Sequence, residues 1–276
     1  MSDDDWYDDA PKAKALKPPR YAYPGVPSTV EALAEILIKQ EAVRPRTVQV
    51  ALGPSELGTP CDQQVARKLV AGEYVPAAQE PAWAPFQGTA VHVAMDDVVD
   101  FWNADLGRKR FLKSSDLGRL DIGPGVSGEL DAYDTDYAMI IDWKHVGESA
   151  LKELRAARKK DLPLPEHVSQ EYRVQAHLYG LGMRRKGYPV AHVRLVLLAR
   201  SWKFDDSEEW TEPYNESLAL AALARYDRVK QAVAGLDIAA HPERIVQVRA
   251  TPSSKCWWCP FRQYGKPASA AGCPGK

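Results

Sequence analysis

Two acidic residues and a lysine near the middle of the chain have the types and spacing to bind a divalent cation. They lie in the segment VSGELDAYDTDYAMIIDWKH, residues 126–145. Residues two apart on a strand share a face, so Asp142 and Lys144 point the same way. If the strands on either side of a turn at 134–136 pair, Asp131 lies beside Asp142. Two such carboxylates repel each other unless a cation lies between them, and their hard oxygen atoms suit Mg²⁺ or Mn²⁺.

Lys144 gives the same segment a second chemical role. A lysine one pleat away from an acid can orient an attacking water, help to deprotonate it, or stabilise charge that develops on a phosphate. A solvated hairpin with outward-facing charges would contain the same residue types. The apolar run that ends in Asp142 favours the chemical interpretation, because a charge at the end of a buried strand is costly without a partner.

Two predicted helices add candidate residues to this site. His92 lies at the edge of an apolar helical stripe, where a lone histidine is more often a packed core residue than a ligand. Gln175 and Tyr179 are four residues apart and share a helix face, which ordinary amphipathic packing also explains. These residues become candidates because an acidic site is already predicted, with His92 as its third ligand.

The four cysteines form a second constellation. Cys256 and Cys259 are separated by two residues, and Cys273 follows after 13 intervening residues. The missing fourth thiolate would have to come from Cys61. Cys259 and Cys273 each precede a proline, as at the end of ferredoxin-type cluster motifs, but zinc accepts four thiolates equally well. A redox-active dithiol is disfavoured, because such a pair normally starts a helix and the residues after Cys259 are rich in Gly, Pro and Ala.

The composition and the first residues argue against a membrane-spanning helix and against a secretory signal peptide. The chain has 276 residues, of which 45% are hydrophobic and 26% charged, as in globular domains. It contains no apolar run of about 18 residues, so no membrane partner is expected. Its first residues lack the basic flank and apolar stretch of a signal peptide, which favours a cytoplasmic location.

The predicted elements indicate an α/β fold with a mixed sheet. A flexible acidic and Pro-rich tail is expected over residues 1–27, an ordered core over 28–243, and a C-terminal cysteine segment over 244–276. A capping box at Ser28 predicts the first helix. Three adjacent strands, a helical crossover and a fourth strand predict a mixed sheet flanked by helices. The main helices are predicted at 88–103, 148–160, 166–186 and 215–235, and the strands at 108–114, 126–133, 137–143 and 192–200.

The motifs, taken in order, resemble those of the PD-(D/E)xK nuclease superfamily. The resemblance is strongest to RecB-type exonucleases with an iron–sulfur cluster, a group that includes CRISPR-associated exonucleases and phage relatives. It spans residues 55–273. Leu130 stands where the superfamily has its proline, and the gap from Cys259 to Cys273 is longer than is usual in the family. The matching segments are Ser55–Cys61, Gly88–His92, Gly128–Asp131, Asp142–Lys144, Gln175–Tyr179 and the three C-terminal cysteines.

The resemblance implies a restriction-endonuclease-like core that hydrolyses DNA with Mg²⁺ or Mn²⁺. It further implies an exonuclease that acts 5′ to 3′ on single strands or DNA ends, in recombination, repair or DNA processing. Lys144 would position the attacking water, with Gln175 and Tyr179 supporting the lysine or the DNA backbone. The implied metal ligands are His92, Asp131, Asp142 and the backbone carbonyl of Trp143, and the implied 4Fe-4S ligands, with zinc as the alternative, are Cys61, Cys256, Cys259 and Cys273.

The charge distribution is compatible with DNA as a partner although the net charge is −1. Residues 1–9 hold five aspartates, and without them the chain carries +4. Residues 151–186 hold nine Lys and Arg against four Asp and Glu, and residues 244–276 hold six against none. A solvated charged face is the ordinary interpretation of either run alone. The last segment also carries aromatic residues that could stack on bases, namely Trp257, Trp258, Phe261 and Tyr264.

Two other functions fit parts of these data. A non-catalytic DNA-binding protein would use the basic segments and a structural four-cysteine metal site. A thiol oxidoreductase would cycle Cys256 and Cys259 between dithiol and disulfide. The first alternative predicts DNA binding that is insensitive to substitution of Asp142.

Overall fold

The computed structural model describes residues 29–43, 52–71, 83–160, 167–253, 256–257 and 259–275. The predicted tail, the capping box at Ser28 and Trp258 lie outside the described residues. The chain divides into two compact units, one of Met1–Gln49 with Glu73–Phe86 and one of Val50–Gly72 with Gln87–Lys276. In the first unit, helix α1 spans Thr29–Val43. No helix within the described ranges is both long enough and apolar enough to cross a membrane.

The second unit is built on a five-stranded mixed sheet. The strands of this unit, in chain order, are β1 (Phe111–Lys113), β2 (Leu120–Gly123), β3 (Val126–Gly128), β4 (Ala132–Asp134), β5 (Met139–Val146), β6 (His192–Ala199) and β7 (Glu208–Pro213). The main sheet has the order β1-β4-β5-β6-β7, and β2 pairs with β3 in a separate ribbon. Its central pair, β5 and β6, is parallel, and the other neighbouring pairs are antiparallel. The predicted mixed α/β fold class is confirmed.

Helices cover both faces of this sheet. Short helices and turns of 3-10 helix, at Phe204–Asp206 and Pro242–Gln247, complete the connections. The α-helices that follow α1 are α2 (Pro54–Leu57), α3 (Asp62–Ala71), α4 (Trp83–Asp105), α5 (Ser114–Leu117), α6 (Glu148–Lys159), α7 (Gln170–Arg185) and α8 (Glu216–Gly235).

Helix α7 forms the centre of the core on one face. Every residue from Val174 to Met183 is buried, because β5, β6, the β2–β3 ribbon, α2 and α8 surround the helix. An α-helix that is buried all round belongs to a core rather than to a surface. On the opposite face, Val99 of α4 packs with Ile141 and Trp143 of β5. The side chains of β5 therefore alternate between two buried layers, and Asp142 of this strand lies inside the protein.

The prediction of one strand over 126–133 is wrong. The chain bends after Gly128, so that β3 belongs to the ribbon and β4 to the main sheet. Gly128 packs closely at the bend, where a Cβ atom would lie 2.8 Å from Pro54 Cγ and 2.9 Å from Tyr179 Cε1. Only glycine fits without displacing these neighbours, and the bend places Asp131 directly before β4.

Other element boundaries also differ from the predictions. The predicted strand 108–114 is shortened to β1, because residues 114–117 form a helix. The predicted strand 137–143 begins later, because residues 135–138 form a turn, and it continues to Val146. Strands β2 and β7 were not predicted. Strand β7 buries only Trp210, so it lacks the apolar alternation by which a strand is identified.

Candidate active site

The register of the sheet brings the two predicted carboxylates side by side. Ala132 pairs with Ile141 in the antiparallel ladder of β4 and β5, so Asp131 and Asp142 occupy the next opposite positions. Asp131 is fixed by the backbone of β5, because its Oδ2 accepts a hydrogen bond of 2.8 Å from the N–H of Trp143. The close approach that the sequence predicts for these two acids is thus present.

Asp142 is a buried carboxylate paired with a lysine. Its side chain is 1% exposed, and Lys144 Nζ lies 2.6 Å from its Oδ2. Burial raises the pKa of Asp142 to about 6, since the repulsion from Asp131 adds to desolvation and the charge of Lys144 only partly opposes them. The site is therefore short of positive charge, and a further cation there would stabilise the ionised carboxylate.

His92 joins Asp131 from helix α4. Its Nδ1 lies 3.0 Å from Asp131 Oδ1, and this hydrogen bond raises the pKa of the imidazole despite partial burial. Asp96 lies one turn further along α4, and its pKa is raised by burial, with Asp131 among the contributing charges. Sequence reasoning missed Asp96, although its i+4 spacing from His92 places both residues on one helix face.

Helix α7 provides the polar residues on the opposite side. Gln175 Nε2 donates to the hydroxyl of Tyr179 over 3.2 Å, and both side chains are buried. Gln175 Oε1 is buried and has no hydrogen-bond donor among the described atoms. The ammonium of Lys144 lies 5.0 Å from the centre of the Tyr172 ring, a cation–π contact. Tyr172 was also missed, although its i+3 spacing places it on the same face as Gln175.

The donor set fits a hard divalent ion. Two carboxylates and an imidazole lie near Lys144, whose side chain is 12% exposed, and an ordinary structural ion pair does not need the second carboxylate. No group of three or more His, Cys, Asp or Glu in the described ranges is arranged as a metal-binding group. The contacts above explain why these residues do not form a metal-binding group. Lys144 is paired with the Asp142 carboxylate, and the Asp131 carboxylate is hydrogen-bonded to His92 and to the backbone N–H of Trp143. A cation would therefore compete with Lys144 for the Asp142 carboxylate.

The four cysteines line one small cavity. All four are free thiols, and the cavity between them has a volume of about 30 Å³. The N–H of Thr251 donates to Cys61 Sγ over 3.5 Å, and that of Ser253 to Cys256 Sγ over 3.3 Å. Hydrogen bonds of this type tune and orient thiolate ligands. The fold thus brings Cys61 to the cavity that the C-terminal cysteines line, although the described thiols are not arranged as a metal-binding group.

A buried arginine accompanies these thiols. Arg67 is 3% exposed, and its guanidinium donates to the carbonyl oxygens of Ser269, Ala270 and Gly272 over 2.8, 2.7 and 3.0 Å. Burial lowers its pKa, and Cys273 is the largest of the neighbouring charges that oppose this shift. Among the residues that the structure describes, no carboxylate pairs with Arg67. A guanidinium buried without a carboxylate is costly, and a set of metal-bound thiolates would supply the missing negative charge.

Part of the predicted basic surface is neutralised. Arg155 and Arg158 of α6 both pair with Glu208.

At the C-terminus, Trp257 and Tyr264 are exposed, and the guanidinium of Arg262 lies 4.6 and 5.1 Å from their ring centres. Phe261 is half-buried beside the cysteine cavity.

No protein-family model and no curated protein matches this chain. Among solved structures, the chain is similar to an alkaline exonuclease from Laribacter hongkongensis, with a TM-score of 0.47 and 13% sequence identity. The similarity covers 69% of this chain and 91% of that exonuclease. Likeness at this level does not assign an activity. The chemistry of the site itself carries the functional assignment.

Proposed function

We propose that this chain is an Mg²⁺- or Mn²⁺-dependent DNA exonuclease. The observation that carries the proposal is the ion pair between buried Asp142 and Lys144, whose side chain is 12% exposed, with Asp131 directly before the strand that pairs with β5. Phosphodiester hydrolysis requires a cation site and a group that positions the attacking water, and two carboxylates beside a largely enclosed lysine can supply both.

Each residue has a defined task in this proposal. Asp131, Asp142, His92 and the backbone carbonyl of Trp143 would hold the ion. When bound, the ion supplies positive charge that polarises the phosphate. Lys144 positions the attacking water and donates to the oxygen on which negative charge develops.

Helix α7 keeps this lysine in place. The Tyr172 ring lies against the ammonium of Lys144, which limits the directions in which the side chain can extend. Gln175 and Tyr179, hydrogen-bonded to each other on the same helix face, support the lysine or the DNA backbone. The unpaired Gln175 Oε1 is the acceptor available for this purpose.

We infer a structural role for the four cysteines. Cys61, Cys256, Cys259 and Cys273 would hold a 4Fe-4S cluster, with zinc as the alternative. The four cysteines share one cavity, and two of their sulfur atoms accept hydrogen bonds from backbone N–H groups. Together with the buried Arg67 nearby, these contacts support a site that carries negative charge. Its effect would be to fasten the C-terminal segment to the residues that precede α3.

The finer parts of the assignment rest on the sequence resemblance. They are the 5′ to 3′ polarity, the preference for single strands or DNA ends, the role in recombination, repair or processing, and a cytoplasmic location. Digestion of DNA labelled at either end, as single strands and as duplexes, separates these possibilities.

The decisive experiment compares variants on labelled DNA with Mg²⁺ or Mn²⁺. We expect Asp142→Asn and Lys144→Ala each to lower the rate at least about 100-fold, the scale of a lost proton-handling group. The matched control is Asp121→Asn, which changes an exposed aspartate of β2 and should retain the wild-type rate. Undiminished degradation by either site variant would refute the nuclease assignment.

A non-catalytic DNA-binding protein is the second candidate. The exposed rings of Trp257 and Tyr264 around Arg262, next to the cysteine cavity, favour it. It predicts DNA binding without degradation, and an affinity that Asp142→Asn leaves unchanged.

A further inference from the structure

The outward face of helix α4 exposes a row of apolar side chains in the second unit. Val93 is 64% exposed and Phe101 is 75% exposed. With Asp97 midway between them they follow at intervals of four residues, so the three share one helix face over a length of about 12 Å. Ala90 and Ala94 continue this face with small exposed side chains. A contiguous apolar row that faces solvent is typical of a binding surface.

An open cavity adjoins this face. Its volume is about 430 Å³, and it is lined by Trp102, which directly follows Phe101 in the helix. Phe111, Met139 and Ile141 of the sheet complete the apolar part of its lining. The ring centres of Trp102 and Phe111 are 4.1 Å apart, so the wall between the helix face and the cavity is packed. An apolar recess beside exposed rings is suited to hold an anchor side chain of a partner.

Both arginines that line the cavity are already paired. Arg110 donates to the two carboxylate oxygens of Asp134 over 2.9 and 2.6 Å. Arg194 donates to the hydroxyl of Thr211 over 2.9 Å and lies 3.5 Å from a carboxylate oxygen of Glu209. The cavity therefore suits an apolar group rather than an ion.

Helix α4 itself is acidic. From Gln87 to its end it contains no Lys or Arg and four aspartates, namely Asp96, Asp97, Asp100 and Asp105. Lys113 pairs with Asp100 over 2.5 Å. Asp97 and Asp105 are exposed and pair with no cation in the described part of the chain. Because Asp97 lies in the middle of the apolar row, this surface favours a partner that places Lys or Arg beside its apolar residues.

The same charges disfavour other occupants. A second copy of this chain, docked through the same face about a two-fold axis, would place aspartates against aspartates without a basic residue on either helix. DNA and anionic lipid would meet the same repulsion. Arg108 and Lys109, which follow the helix, do not reverse this charge because they pair with Asp136 and Asp116.

We propose that the outward face of α4 and the adjoining cavity bind a basic amphipathic helix of a partner protein. One apolar side chain of the partner enters the cavity, others cover Val93 and Phe101, and a Lys or Arg pairs with Asp97. Burial of the exposed apolar area drives the association. Another side of α4 carries His92, which is hydrogen-bonded to Asp131, so the partner and the candidate active site would share this helix.

The test uses a synthetic probe with the chemistry of this partner. A fluorescein-labelled peptide of about 18 residues, or five helical turns, carries leucines on one face and lysines on the other. The full-length protein is titrated into it in EDTA and without DNA, with anisotropy as the signal. We expect saturable binding that Phe101→Ala weakens about 10-fold or more, the scale of a lost anchor residue. Asp97→Lys should also weaken it, because the new charge repels the lysines.

The matched control is Phe204→Ala, which removes a ring that is 78% exposed in the connection between β6 and β7. It should leave the affinity unchanged, and a peptide with glutamate in place of lysine should bind more weakly. The proposal would be overturned by a lack of saturable binding, by equal losses in the two phenylalanine variants, or by equal affinity for the two peptides.

Sedimentation velocity of the protein alone tests the second copy as the occupant. We expect no dimer that depends on Phe101. A concentration-dependent dimer that Phe101→Ala dissociates would overturn the proposal in favour of self-association. Neither measurement involves DNA degradation, so the outcome for this surface is independent of the outcome for the nuclease.

Discussion

Asp142 is the residue at which burial and charge conflict most strongly. Its carboxylate is 1% exposed, and repulsion from Asp131 adds to the cost of ionising it. Lys144 offsets only part of that cost. Such a carboxylate is poor at stabilising the free protein but well suited to binding a cation, because the ion removes the repulsion between the two acids.

The pKa of Asp142 predicts an unusual pH dependence of stability. The folded protein binds the proton more tightly than the unfolded chain, because burial raises the pKa from its ordinary value of 3.8 to about 6. In EDTA, the contribution of Asp142 to the free energy of unfolding should be complete below pH 4 and lost as the pH rises through about 6. Urea unfolding at a series of pH values should detect this decline in the wild type but not in Asp142→Asn.

The exposed Asp121→Asn variant should follow the wild-type profile. Parallel profiles for wild type and Asp142→Asn would contradict the proposed origin of the decline. Adding Mn²⁺ should raise the stability of the wild type above pH 6 more than that of Asp142→Asn, since the ion favours the ionised carboxylate.

At the scale of elements, close packing of α7 explains two of the motif glycines. A Cβ on Gly58 would lie 2.4 Å from the Cα of Glu171, where the loop after α2 crosses the start of α7. A Cβ on Gly128 would meet Tyr179 and Pro54. Both glycines let a neighbouring backbone or ring approach, and both contacts involve the helix that carries Gln175.

Gly58→Ala and Gly88→Ala should therefore change the free energy of unfolding in opposite directions. Gly58→Ala must move the backbone of α7, which predicts a loss of several kcal/mol of unfolding free energy and a displaced Gln175. Gly88 has no atom within 4 Å of an added Cβ and lies inside helix α4, so Gly88→Ala should stabilise the protein by about 0.5–1 kcal/mol. Thermal and urea unfolding measure both effects. Equal responses at the two positions would contradict this account.

Whole-molecule organisation depends on contacts between distant parts of the chain. Gln63 at the start of α3 donates through Nε2 to the carbonyls of Ile245 and Val248, and Arg67 holds three carbonyls near Cys273. These bonds fasten the C-terminal segment to α3 independently of the thiols. The cysteine cavity is therefore formed by the fold itself, and a metal or cluster would strengthen an existing contact.

If Cys61 is a ligand, Cys61→Ser should behave like Cys256→Ser. Both variants should lose bound metal and unfold at lower temperature, because each removes one of four thiolates. Anaerobic purification with metal analysis and visible absorption measures the metal content. Broad absorption and brown colour indicate a 4Fe-4S cluster, and a colourless protein with stoichiometric zinc indicates zinc. Full metal content in Cys61→Ser would exclude this distant thiol as a ligand.

The sequence by itself determined the chemistry that is available to this protein. The order of the carboxylates, the lysine, the glutamine and the cysteines along the chain can be read directly from the sequence. The mixed α/β class can also be predicted, because apolar periodicity distinguishes the main helices from the strands. Strands β2 and β7 escaped prediction, and β7 did so because Trp210 is its only buried residue.

Only the tertiary structure decided which residues meet. Asp131 reaches Asp142 through strand register, and Tyr172 reaches Lys144 through the packing of α7 on the sheet. Arg67 also lies beside the cysteines, which no local sequence pattern predicts. The physical cause is the same in each case. Local periodicity assigns a residue to a face of its element, whereas its partner across the core depends on how the elements pack.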